Sequence, residues 1–231
     1  ALEGQRPLPE GTVTLGHHLQ AAGYATAFVG KWGLGWTASS GDPYAQGFDH
    51  FYGYLCQREA HNYYPTHLWD DGASVPLDNP AFSAHQRLPD GVNPLNAASY
   101  EAYSGNDYAP DLIIEDALSF VRAQGDEPFL LTFATPVPHL ALQVPGDSLA
   151  AYASSFDDQP YDGGAGYLPH RQPRAAYAAM ISRMDRDVGR LLDLLDELDL
   201  AENTLVLFTS DNGPSWVGGV DLEYFESSGG L

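Results

Sequence analysis

Basic residues are scarce in this sequence, and lysine is the rarest of them. The chain has 231 residues, with 10 lysines and arginines against 31 aspartates and glutamates, which gives a formal net charge of −21. Lys31 is its only lysine. So acidic a chain cannot release many counterions from a nucleic-acid backbone, and an anionic membrane surface does not attract it. We therefore expect neither nucleic acid nor membrane as a partner.

Cysteine and long apolar segments are also nearly absent. The single cysteine, Cys56, excludes an intrachain disulfide and a thiolate metal cluster. No apolar run approaches the roughly 20 residues of a membrane helix, and no signal peptide is visible in this chain. Hydrophobic residues nevertheless make up 44% of the sequence and aromatic residues 12%. This content excludes general disorder and predicts a folded core.

Helical and strand patterns alternate along the chain. The spacing of apolar residues and the capping signals predict helices at 14–22, 110–121 and 173–200, a hairpin at 67–77, and buried strands at 25–29, 129–133 and 204–208. The run at 129–133 reads as a central strand, and 31–55 reads as a long structured loop. Buried strands interleaved with helices predict an α/β fold, with a mostly parallel sheet flanked by helices.

Polar residues follow each of the three predicted strands. Lys31 comes after the first strand, His139 after the second, and Asp211 with Asn212 after the third. In open α/β sheets ligands bind outside the carboxyl ends of the strands. We therefore expect Lys31, His139 and Asp211 to converge on one cleft.

These residue types suit an anionic ligand and a hard cation. The oxygens of Asp211 and Asn212 are ligands that Ca²⁺ or Mg²⁺ prefers, whereas Lys31 and His139 could bind an anion or move a proton. His61, close to two tyrosines, could contact a substrate. Taken singly, each has a plainer alternative: an ordinary turn, a solvated lysine, a packed histidine or an aromatic surface loop.

Three stretches resemble the sulfatase family of the alkaline-phosphatase-like superfamily: 14–54, 128–139 and 177–213. The resemblance implies a calcium-dependent, arylsulfatase-like sulfuric ester hydrolase. It implies that Asp211 and Asn212 bind the calcium ion, that Lys31 stabilises the sulfate and assists the nucleophile, and that His139 contacts the sulfate ester. The nucleophile of that family is a formylglycine, made from a Cys/Ser-x-Pro-x-Arg motif.

The chain departs from the family pattern in two places. The sequence contains no Cys/Ser-x-Pro-x-Arg motif, and Gly33 stands where many members carry histidine, so His61 is a candidate replacement. We expect 1–231 to form the interior part of one sulfatase-like catalytic domain, incomplete at both ends. Within it, 56–107 reads as a loop-rich excursion. The formylglycine would come from a segment absent from this chain, which would be inactive alone.

Two other functions remain open from the sequence. The same fold could hydrolyse phosphate or phosphonate monoesters, or it could bind a metal or a sugar without catalysis. The sulfatase resemblance implies a small-molecule or glycan sulfate ester as substrate, and a periplasmic or secreted location. The sequence does not indicate the oligomeric state.

Overall fold

The computed structural model describes residues 5–229, which form two compact units. The first contains the described residues up to Ala81 together with Gly105–Pro136, and the second contains Phe82–Ser104 and the described residues from Val137 onwards. The single domain and its loop-rich excursion therefore stay predictions.

A five-stranded sheet organises the first unit. In the order β4-β3-β2-β1-β5, its strands are β4 (Ala73–Pro76), β3 (His67–Asp70), β2 (His50–Tyr54), β1 (Ala25–Lys31) and β5 (Phe129–Ala134). β1 is parallel to β2 on one side and to β5 on the other, whereas β2–β3 and β3–β4 are antiparallel. The predicted α/β class is confirmed, and the antiparallel strands all lie at one end of the sheet.

Two helices of the first unit pack against this sheet. α1 (Leu15–Ala21) begins at Thr14, whose hydroxyl accepts from the His17 backbone while the His17 side chain accepts from the Thr14 N–H. This reciprocal cap confirms the predicted helix start. α2 (Ala109–Gln124) has a proline in its first turn and lies against β1, β2 and β5. Its buried face consists of Ile113, Ile114, Ala117, Leu118 and Val121.

Aromatic residues fill the core beside β1 and β2. Trp32, Phe48, Phe51 and Leu55 are buried together, and Phe28 packs against them. Phe28 and Trp32 meet edge to face, with 4.8 Å between ring centroids. Such an arrangement contributes stability beyond the buried area alone. The aromatic-rich segment after β1 is therefore largely core.

The predicted hairpin is confirmed. β3 and β4 are joined by Asp71 and Gly72, whose φ angles are 46° and 80°. Two consecutive residues with positive φ form the turn that matches the twist of paired strands, and Asp-Gly is a favoured sequence for it.

The described part of the second unit contains two α-helices, two 3₁₀ helices (Ala97–Tyr103 and Ala201–Asn203) and several loops. α3 (Gly146–Ala150) is short, and α4 (Pro173–Glu197) confirms the predicted long helix. The buried stripe of α4 includes Ala176, Met180, Leu194 and Leu195. Within residues 5–229, no helix combines the length and the apolarity that crossing a bilayer requires.

Three details of the sequence-based prediction are wrong. The segment predicted as a loop from 31 to 55 contains β2, and β5 lies at the edge of the described sheet instead of its centre. Residues 204–208 belong to no strand, and Leu205 and Phe208 are 83% and 75% exposed. An apolar run becomes a buried strand only where a partner strand and a packing surface meet it, and the described structure gives 204–208 neither.

Candidate functional site

Lys31 ends β1 at the carboxyl edge of the parallel strands. Its register partner is Tyr54 at the end of β2, and the lysine is half-buried. Gly30 precedes it with φ of 127°, and a side chain there would collide with the Ala134 carbonyl of β5. Close approach of the three strands thus fixes the backbone from which the only lysine projects.

His61 lies at the same edge, in the loop after β2. It ends a short 3₁₀ helix, Glu59–His61, and is half-buried. The Tyr54 hydroxyl at the end of β2 donates to the Asn62 carbonyl at 2.7 Å. The Tyr63 hydroxyl donates to the Pro136 carbonyl, beyond β5, at 2.9 Å. These two bonds attach the loop that carries His61 to the carboxyl ends of β2 and β5. The first unit therefore brings Lys31 and His61 to one sheet edge.

His139 belongs to the second unit and is half-buried. Its Nδ1 lies 2.7 Å from the Leu140 carbonyl oxygen. A carbonyl only accepts, so Nδ1 carries the hydrogen and donates it. This bond fixes the tautomer, and proton exchange with a ligand would go through Nε2.

Asp211 and Asn212 also belong to the second unit, and both are exposed. The Asn212 amide nitrogen donates to the Gly213 carbonyl at 2.8 Å, so the amide oxygen is the side-chain atom that could bind a cation. A carboxylate and an amide oxygen on neighbouring residues fit a hard cation such as Ca²⁺. Two residues do not complete a shell of six to eight oxygens, so further ligands are required.

The sequence analysis missed a second polar cluster, around His50. Its Nδ1 lies 3.0 Å from Asp71 and its Nε2 2.8 Å from Asp116. The hydrogen bond to Asp116 is the main cause that raises the pKa of His50 above its ordinary value, against the opposing effect of burial. Burial raises the pKa of Asp71, but hydrogen bonds from Phe51, Tyr44 and His50 outweigh it and leave a lowered pKa.

The same cluster offers ligand atoms for a metal ion. Those of His50, Asp70 and Asp71 lie within 4.8 Å of one another. His50 begins β2, however, so the cluster lies at the opposite end of that strand from the edge that carries Lys31. Both imidazole nitrogens already bond to carboxylates. We therefore interpret the cluster as an ion-paired network. The sequence pattern does not indicate this network, because His50 lies in the segment 31–55 that is predicted to be a loop.

The chain matches the Sulfatase family profile over residues 2–228, nearly its whole length. It belongs to the sulfatase family. The resemblance stated from the sequence motifs is thereby confirmed.

Curated sulfatases with which the chain aligns are considerably longer. It is 29% identical over 228 residues to an arylsulfatase of Hemicentrotus pulcherrimus, with 96% of this chain and 34% of that protein covered. It is 28% identical over 229 residues to an ulvan-active sulfatase of Formosa agariphila, with 95% and 38% covered. The chain thus spans little more than a third of the length of these relatives.

Solved structures confirm the predicted alkaline-phosphatase-like fold of this sulfatase chain. Ps i-CgsB in complex with a neocarrahexaose superposes with a TM-score of 0.62 at 22% identity, covering 85% of this chain and 39% of that one. A protein bound to its substrate D-glucosamine-2-N,6-O-disulfate gives 0.58 at 18% identity, with 85% and 49% covered.

Proposed function

We propose that the intact protein hydrolyses sulfate esters of glycans, and that Lys31, His61, His139, Asp211 and Asn212 contribute to its site. The observation that carries the proposal is family membership over residues 2–228 together with the position of the only lysine at the carboxyl edge of the sheet. An anionic ester needs local positive charge in a chain whose net charge is −21.

Each side chain has a chemical role in this proposal. Lys31 presents a point charge to the sulfate, and His139, with its hydrogen on Nδ1, contacts the ester through Nε2. His61 contacts the substrate from the loop after β2. It would take the role of the histidine that many family members carry at the position of Gly33. Side chains that stabilise charge as it develops are often the largest contributors to catalysis.

Asp211 and Asn212 would hold the calcium ion, and Mg²⁺ is the alternative. The ion supplies positive charge that offsets carboxylates around an anionic substrate. The nucleophile, a formylglycine in this family, would come from residues outside the 231, because no Cys/Ser-x-Pro-x-Arg motif lies within them. We place the intact protein in the periplasm or outside the cell, following the family resemblance.

The substrate class is proposed from relatives. One is named as active on ulvan, and structural neighbours were solved with a neocarrahexaose and with D-glucosamine-2-N,6-O-disulfate. These names support a sulfated sugar as the substrate of this protein.

The full-length protein tests the proposal through hydrolysis of 4-nitrophenyl sulfate and 4-nitrophenyl phosphate. We expect turnover of the sulfate, reduced at least about 100-fold in Lys31→Ala and in His139→Ala. His18→Ala and Asp90→Ala, at exposed positions, are the matched controls. Preference for the phosphate would indicate a phosphomonoester hydrolase. Binding of sulfated oligosaccharides without turnover of either ester would indicate a binding domain.

The metal assignment has a test that does not depend on activity. Calcium titration of the full-length protein by calorimetry should show a site that Asp211→Ala weakens strongly and Asp90→Ala leaves intact. Equal calcium affinity in wild type and Asp211→Ala would remove Asp211 from the metal site.

A further inference from the structure

His139, Tyr167 and His85 form a row of three rings in the second unit, with Tyr167 in the middle. The Tyr167 ring approaches the His139 imidazole edge to face, with 5.7 Å between centroids and 72° between planes. His85 lies against Tyr167, with 4.8 Å between centroids and a tilt of 42°. Both distances fall in the range in which aromatic pairs attract one another. Tyr167 is thus in contact with the histidine proposed to meet the ester.

Tyr167 has an unusual backbone conformation. Its φ angle is 64°, in the left-handed region that a bulky residue rarely adopts. Such a conformation costs of order 1–3 kcal/mol and persists only where surrounding structure enforces it. Residues of this kind concentrate at functional sites, so the outlier points towards function.

The loop that carries Tyr167 is closed by its own hydrogen bonds. Tyr161 and His170 pair through both backbone groups, at 2.9 and 3.0 Å, and so bring the two ends together. Inside the loop the Tyr161 hydroxyl donates to the Gly166 carbonyl and accepts from the Ala165 N–H. This network holds the residue directly before Tyr167.

The segment that carries His85 is bound to the same loop. The Leu88 N–H donates to the Asp162 carbonyl at 2.9 Å, and Arg87 Nη2 donates to the Gly164 carbonyl at 2.8 Å. A Cβ at Gly163 would lie 2.5 Å from the Gln86 carbonyl oxygen, so the two backbones are in direct contact. The segment that carries His85 and the loop that carries Tyr167 are therefore joined by two hydrogen bonds and a close backbone contact.

His139 is also held by a hydrogen bond to the backbone. Its Nδ1 donates to the carbonyl of Leu140, whose side chain is buried, with 1% exposed. Gly218 packs against that side chain so closely that a Cβ on the glycine would lie 2.5 Å from Leu140 Cδ1. The backbone bond fixes one nitrogen of the imidazole, and the Tyr167 contact limits the rotation of its plane.

We propose that Tyr167 is a positioning residue for His139, supported in turn by His85. This rests on the proposed function, because it gives His139 a role in the reaction. The Tyr167 ring keeps the imidazole in the orientation in which Nε2 meets the sulfate ester. Misplacement by about 1 Å can cost a factor of about 100 in rate.

Substitutions at Tyr167 separate the ring from the backbone strain. Tyr167→Phe keeps the ring, whereas Tyr167→Gly removes it and relieves the positive φ, which glycine adopts freely. With the full-length protein and 4-nitrophenyl sulfate, we expect Tyr167→Phe to retain kcat within about threefold, and Tyr167→Gly to lose about 10- to 100-fold in kcat with little change in KM. Tm of Tyr167→Gly should not fall. Tyr24→Gly, outside the cluster, is the control.

A spectroscopic measurement tests the contact without any catalysis. The ring protons of His139, assigned by their loss in His139→Gln, should carry a ring-current shift from Tyr167. We expect Tyr167→Phe to keep that shift and Tyr167→Gly to remove it. An unchanged His139 signal in Tyr167→Gly would overturn the contact and the proposal.

The two proposals fail in different ways. Full activity of His139→Ala would overturn the role of His139 in the proposed function, and the positioning role with it. If His139→Ala is inactive but Tyr167→Gly keeps the wild-type kcat, only the positioning role is overturned. If Tyr167→Gly loses both kcat and the ring-current shift of His139, and His139→Ala is inactive, both proposals are supported.

Discussion

His50 at the start of β2 donates to Asp116 of α2, with 2.8 Å between Nε2 and a carboxylate oxygen. Its other ring nitrogen bonds to Asp71, in the turn between β3 and β4. An ionised carboxylate only accepts hydrogen bonds, so both nitrogens donate together only when the imidazole is protonated. The charged ring thereby joins a helix to two parts of the sheet.

This arrangement predicts a pH-dependent contribution to stability. The folded-state pKa of His50 is raised above 6.5, so the contribution is complete below that value and is lost as pH rises through the folded-state pKa. Asp116 and Asp71 face the ring directly, and Asp70 lies nearby. Urea unfolding of wild type and His50→Gln should differ most near pH 5 and much less near pH 9. His18→Gln is the exposed control, and an equal difference at both pH values would contradict the prediction.

Close contact between strands makes Gly30 intolerant of a side chain. A Cβ there would collide with the Ala134 backbone, and the φ of 127° adds strain for any other residue. We expect Gly30→Ala to lower the free energy of unfolding by more than about 3 kcal/mol, because backbone has to move. Gly189→Ala is the matched control, since it lies within α4 with open space around it and should stabilise by about 0.5–1 kcal/mol. Equal changes in the free energy of unfolding for the two variants, measured with urea, would contradict the prediction and show that β1 and β5 can move apart without cost.

Asp158 supplies the cap of α4 from outside the helix. Its two carboxylate oxygens accept from the backbone N–H groups of Arg174 and Ala175, at 2.7 and 3.1 Å. Asp158→Ala should therefore cost about 1 kcal/mol of stability, as lost helix caps typically do. Asp90→Ala, at an exposed position, should cost nothing measurable in the same thermal unfolding experiment. If both variants unfold like wild type, the prediction is wrong, and water replaces Asp158 as the acceptor for the N–H groups at the start of α4.

Local signals account for the elements that the sequence predicts correctly. The cap at Thr14, the turn at Asp71 and the apolar stripe of α4 depend on residues within a few positions of one another. β2 was missed because its pairing with β1 is non-local and Gly53 interrupts its apolar pattern. Asp158 gives no capping signal in the sequence, because the helix that it caps begins 15 residues later, at Pro173.

The candidate site divides in the same way. The rule for the carboxyl ends of parallel strands predicts the position of Lys31, and the structure brings His61 to that edge. The convergence of Lys31, His139 and Asp211 stays a prediction, because Lys31 lies in the first unit and the other two lie in the second. Tyr167 could not be found from the sequence, since neither its φ angle nor its contact with His139 follows from a local pattern.

The segment at 204–208 provides a direct comparison between the sequence pattern and the structure. The pattern predicts a buried strand, whereas Leu207 is 81% exposed. For this chain, Leu207→Ala should change the free energy of unfolding by no more than about 0.5 kcal/mol, as surface substitutions do. Leu194→Ala in α4, at a side chain 2% exposed, should cost about 2–5 kcal/mol. A loss of similar size in both variants, measured by urea unfolding, would mean that Leu207 is buried in solution.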